Sequence, residues 1–137
     1  MSPDEARVDV IAWSVERGRI RLAAAERELD AGVPQLAADH AFYACFHLLP
    51  AIFLQEGLTL KRHSAIRSAL HERLIQTGRL DRRWGSVFDR LAELRTKSVY
   101  AALFALDGEA GRAVVDDAGK LSAELRRMLP PRSDAPA

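Results

Sequence analysis

Residues Pro34 to Gln55 read PQLAADHAFYACFHLLPAIFLQ. Wound at 3.6 residues per turn, this run is apolar around most of its circumference. It therefore predicts a helix buried on nearly every side, the centre of a bundle. Pro50 falls inside it. Proline offers no N–H to the helical ladder, and its ring crowds the carbonyl four residues earlier, so a kink or a point of tight packing is expected there. No segment approaches about 18 uninterrupted apolar residues, so a membrane span is not expected. Cys45 is the only cysteine and sits in the same apolar run. An intramolecular disulfide is excluded, and a buried, inert thiol is expected.

Four further helices flank this run. Upstream, Ser2 can cap, Pro3 suits the first helical position and Glu5 completes a capping box. Val8, Ile11 and Val15 continue at helical spacing, and "DAG" closes the helix near Gly32. Downstream, "EGLTLKR" is a loop. A helix from about His63 to Gln76 carries Ile66, Leu70 and Leu74 in one stripe, and "TGRL" breaks it. Asp81 caps a fourth helix reaching about Leu106, with Trp84, Phe88, Leu91 and Arg95 aligned along one face. After "LDGEAG", a fifth spans about 109 to 129. Short connections between long helices imply an all-α, up-down antiparallel helical bundle of four to five helices, a single domain over residues 1–129. The proline-rich residues 130–137 read as a disordered tail.

Twenty basic and 19 acidic residues in 137 leave a net charge of +1. Global electrostatics therefore do not point to nucleic acid, and any basic site must be local. The start of the chain, "MSPDEARVDV", is acidic and lacks an apolar signal core, so a cytoplasmic location is expected.

His40, Tyr43 and His47 share one face of the second helix. The two histidines stand about 10 Å apart along the axis, too far for one ion without ligands from elsewhere. No metal and no cofactor is expected. "KRHSAIRSALHERL" sets His63, Arg67 and His71 at i, i+4 and i+8, and with Lys61, Arg62 and Arg73 forms a local basic surface suited to phosphate or RNA, or a plain solvated face. Arg95 differs: a guanidinium in an apolar stripe requires a carboxylate, a carbonyl or a ligand phosphate. No Gly-rich phosphate loop, GxSxG, HExxH or paired-carboxylate motif occurs.

The order "ADHAFYACFHLLPAIFLQEGL", "KRHS", "TGRL" and "ELRTKSVY" resembles the HEPN superfamily, in particular its small stand-alone bacterial and archaeal branch with "YYAxFHxxRALL", "KTHS" and "LRxxADY" segments. The resemblance covers roughly residues 6 to 129. It implies a four- or five-helix bundle, commonly a homodimer. Many members are metal-independent ribonucleases whose signature is an Arg, four to six residues, then a His. Others partner a small nucleotidyltransferase, often as toxin–antitoxin pairs, or bind nucleotides. Arg95 matches the signature Arg, Thr96 replaces a frequent Asn, and Tyr100 stands where the His would be. Phenol, with a pKa near 10, is a poor general base at neutral pH, whereas an imidazole near 6.5 exchanges protons readily. The branch often has Arg at the position of His40 and Asp at that of Val99, and no proline at Pro50.

The expectation is therefore a dimeric HEPN-type binding module for nucleotide or RNA, or a partner of a small nucleotidyltransferase. Its site residues would be Arg95, Tyr100, Tyr43, His63, Arg62, His40 and His47. A metal-independent endoribonuclease toxin, with His40, His47 or His63 supplying the imidazole, is the alternative. A third reading is a ligand-free structural dimer in which Arg95 is a buried ion pair. A homodimer is also expected because the second and fourth helices carry more apolar surface than one small bundle covers.

Overall fold

A computed structural model describes residues 2–98 and 105–130. The chain is all-α, and no strand occurs among the described residues. Helix α1 spans Pro3–Asp30. Its N-terminus is closed by the expected capping box: the Glu5 N–H donates to Ser2 Oγ and the Ser2 N–H to Glu5 Oε2, both at 3.2 Å. Past its end the chain turns at Gly32, whose φ of 82° places it in the left-handed region. The first two turns stand clear of the bundle, and only from Ile11 onward does α1 bury a face. Val8, expected in the inward stripe, is consequently 64% exposed.

The central run forms two helices, α2 (Pro34–Phe46) and α3 (Leu48–Gln55), broken at His47. Pro50 is the third residue of α3, and the carbonyl it cannot bond is that of Phe46, the last residue of α2. The kink expected from the sequence thus lies three residues before the proline. Helix α2 packs on α1, α5 and α6 together, which explains its nearly all-round apolarity. Pro34–Gln55 is long and apolar enough by composition to cross a membrane, yet 67% of its apolar window is buried inside the bundle. Gly18 allows α1 to lie close to this pair: a Cβ there would come within 3.0 Å of the Ala44 carbonyl oxygen and 3.3 Å of Leu48 Cδ2.

Helix α4 covers His63–Ala69 and widens into a π-helical turn, Leu70–Ile75. The apolar spacing alone predicts an uninterrupted α-helix here. In the π turn, Leu70 and Leu74 are both fully buried, while His71 rests against Gly85 of α5 (Arg82–Ser98). Trp84, Phe88 and Leu91 are buried along α5, and Arg95 continues their stripe at half burial. The remainder of the expected fourth helix, up to residue 104, lies outside the described residues, and residues 105–107 are not helical. Helix α6 (Gly108–Arg126) starts at its cap, Asp107, whose Oδ1 accepts the Ala110 N–H at 2.8 Å. A closing turn then buries Leu129. Of the expected tail, residues 131–137 lie outside the described residues. Phe53 and Phe88, both fully buried, anchor a core spanning all the helices, each stabilising it by about 2–3 kcal/mol.

Candidate functional site

Tyr43, half-buried on α2, is the hub of a polar cluster. Arg95 of α5 donates from Nη2 to Tyr43 Oη at 2.8 Å, and its Cζ lies 5.5 Å from the ring centre. Arg21 of α1 approaches the same ring, its Cζ 4.9 Å from the centre. Arg21 Nη1 also stands 3.0 Å from His40 Nδ1. A guanidinium only donates, so Nδ1 accepts and the neutral imidazole carries its proton on Nε2. Burial, reinforced by the Arg21 charge, holds the His40 pKa below its ordinary value.

One turn further along, the His47 ring stacks on Tyr43, with centres 5.4 Å apart and planes inclined by 28°. His47 is only 9% exposed, and its Nε2 has no hydrogen-bond partner among the described residues. Burial chiefly, with the charges of Arg17, Arg21 and His63 adding to it, pushes its pKa down to about 4. His47 is thus a neutral imidazole at physiological pH, already closed to proton exchange there. His63, the first residue of α4, is exposed and lays its ring 4.3 Å from that of Phe46 and 6.4 Å from that of Tyr43.

Beside this cluster, an open cleft of about 1080 Å³ runs between α4 and α5. Phe46, His63, Arg67, Asp89, Arg95 and Thr96 line it. Arg95 is therefore shared: it reaches Tyr43 and also faces the cleft.

The charges are not uniformly spent. Arg67 Nε and His71 Nε2 both engage Asp89 Oδ1, at 2.9 and 3.0 Å, so the histidine–arginine face of α4 is tied to α5 rather than presented freely. Arg79 pairs with Glu56, Lys97 with Glu93, and Arg112 with Glu26. Arg17 and Arg21, by contrast, have no carboxylate within ion-pair distance among the described residues. Arg21, held between a neutral imidazole and a phenol ring with no carboxylate in ion-pair contact among the described residues, presents a guanidinium that can receive an anion with bidentate geometry.

Of the residues singled out in the sequence, Tyr43, His40, His47, His63 and Arg95 converge. Arg62 does not: it precedes α4, exposed, without an ion pair among the described residues. Tyr100 and Val99 lie outside the described residues. Arg21 and Arg17 are the additions. Their i, i+4 spacing around Gly18 was the available signal: the glycine marks where α1 approaches α2, and the arginines flank that approach. No group of three or more His, Cys, Asp or Glu side chains placed to hold a metal occurs among the described residues. Cys45 is fully buried, donates to the Ala118 carbonyl at 3.3 Å, and burial pushes its pKa up to about 12.

Comparison with known proteins agrees with this architecture. A UPF0332 protein of Thermotoga maritima is 27% identical over 73 residues, which cover 53% of this chain and 55% of that protein. The chain thus matches about half the length of that relative. The family model of the HEPN domain matches residues 11–128, from the first buried residue of α1 to the turn after α6, and the chain belongs to the HEPN domain family.

Proposed function

We propose that this chain is a dimeric HEPN binding module that holds the phosphate of a nucleotide or RNA at Arg95 and Tyr43. The observation that carries this reading is the convergence of two guanidiniums, Arg21 and Arg95, on one phenol ring, with no carboxylate within ion-pair distance of Arg21 among the described residues. Two guanidiniums brought to one ring concentrate positive charge there, and their planar forks suit phosphate oxygens. Aromatic faces at Tyr43, Phe46 and His63 supply stacking partners for a base. Action alongside a small nucleotidyltransferase, as in toxin–antitoxin pairs, is compatible with the same site. The test is binding of labelled RNA and nucleotides to wild type and Arg95→Ala. The variant should bind at least tenfold more weakly, since a charge-assisted pair contributes about 1.5–3 kcal/mol. Equal affinities would remove Arg95 from the account.

A second reading is a metal-independent endoribonuclease. His63 and Arg95 line one cleft, which would bring an exposed imidazole to the phosphate held by the arginine. His47 does not suit this role, since an imidazole with a pKa near 4 is too weak a base to take a proton effectively at neutral pH. RNA cleavage in the presence of a chelator, leaving 2′,3′-cyclic phosphate ends and lost in His63→Ala, is the expected sign. Intact RNA after prolonged incubation would refute it.

A further inference from the structure

Helix α1 carries a second feature beside Arg21. Trp13 is 58% exposed, and Val10 and Ile20, at i−3 and i+7 from it, are 50% and 43% exposed. Arg17 stands one turn beyond Trp13 on the same face, also exposed, and Arg21 one turn beyond that. The face that α1 turns into the bundle is a different one, lined by Ile11, Gly18 and Ala25. An exposed indole followed by two arginines without carboxylate partners among the described residues thus runs along about 12 Å of helix and ends at Tyr43. Glu16, the acid closest in sequence to Arg17, is engaged by Arg19.

We infer that this face of α1 is a binding track for single-stranded RNA, in which Trp13 stacks on an unpaired base while Arg17 and Arg21 hold successive phosphates leading to Arg95. This rests on the phosphate-binding reading above and extends it: a mononucleotide would occupy only the Tyr43 end, whereas a strand would use the whole track. Three observations favour a strand. The aromatic face is exposed rather than packed, as base stacking requires. Arg17 and Arg21 have no carboxylate within ion-pair distance among the described residues, although Asp9 and Glu16 lie one turn from Trp13 on the same helix. The track is also continuous with the cluster that joins α1, α2 and α5, so phosphates spaced along a backbone would meet charge at each step.

The experiment measures fluorescence anisotropy of labelled hexauridylate, and competition by ATP and by inorganic pyrophosphate, over a series of salt concentrations. The proteins are wild type, Trp13→Ala, Arg17→Gln and Arg95→Ala. Trp13 and Arg17 are exposed, and circular dichroism would verify that both variants remain folded. Trp13→Ala should weaken hexauridylate about tenfold, within the range for removing one stacking platform, and leave ATP and pyrophosphate competition constants unchanged. Arg17→Gln should lower the slope of log affinity against log salt by roughly 0.7, the loss of one single-strand phosphate contact. If Arg95→Ala weakens hexauridylate while Trp13→Ala and Arg17→Gln bind as wild type, the track is refuted and the Tyr43 site stands. If wild type binds ATP but not hexauridylate, the track is likewise refuted. If wild type binds none of the three, both readings fall. If Trp13→Ala binds RNA normally but sediments as a monomer where wild type is a dimer, the face is a protein contact and the inference is overturned.

Discussion

Replacing Tyr43 by Phe removes one atom from the centre of the cluster and leaves its ring in place. The lost oxygen accepts Arg95 Nη2 at 2.8 Å. The ring contacts to Arg21 at 4.9 Å and to His47 at 5.4 Å do not depend on it. A hydrogen bond to a charged group contributes about 1.5–3 kcal/mol, but both partners here are only half-buried, so water recovers part of the loss. The single substitution should therefore cost about 1 kcal/mol. Arg95→Met deletes the guanidinium with its contact to the Tyr43 ring and keeps an apolar stem in the α5 stripe. In a double-mutant cycle the two substitutions should couple by about 0.5–1 kcal/mol, because once either partner is gone the other substitution costs less. Urea denaturation reads this directly: with a slope of about 1–3 kcal/mol per molar, the single-variant midpoint should fall by roughly 0.5 M. A coupling below about 0.3 kcal/mol would show that the bond contributes nothing to stability, and the account of Arg95 as a residue positioned by Tyr43 would fail.

Gly111→Ala should destabilise by about 1–3 kcal/mol in thermal unfolding, although alanine is the better helix former, because its Cβ would meet Pro34 Cβ at 2.7 Å and Leu29 Cδ1 at 3.0 Å. His47 makes stability pH-dependent. Its folded pKa near 4 lies below the unfolded value of 6.5, so the unfolded chain takes up the proton first. This contribution is complete above about pH 6.5 and is lost progressively as pH falls toward 4, by up to about 3 kcal/mol. His47→Phe should flatten that part of the stability profile, and an unchanged profile in the variant would exclude His47 as its source. Cys45, with its pKa raised to about 12, should remain unmodified by a thiol reagent at pH 8 in the native protein and react promptly in denaturant; native-state labelling would contradict its burial.

The parts of the fold readable from the sequence are those governed by neighbours along the chain. The capping box at Ser2 and Glu5 and the stripe from Trp84 to Arg95 each depend on residues within a few turns. Pro50 announced a break, though not that it would fall at His47. The π turn was not legible, because its apolar positions fit an α-helix equally well, and the Asp89 that engages His71 lies on another helix. The same distance in sequence concealed Arg67's pairing with Asp89 and Arg21's with His40. Half of the candidate site was visible as helical spacing on α2. The half supplied by α1 required knowing which helix lies across Tyr43, which only the glycine at position 18 hinted at.

The two free turns at the start of α1 bear on how the protein meets a protease. Residues 2–10 are held by their own ladder and by the Ser2–Glu5 cap, with Ala6 alone partly covered. The first two turns of α1, unsupported by tertiary packing, fray far more often than the bundle opens. Trypsin should therefore cut after Arg7 well before it cuts after Arg21, which lies in the part of α1 held against the bundle by Gly18 and Ala25. Trimming at Arg7 would leave Trp13 close to a new, charged amino terminus while the bundle from Ile11 onward stays whole.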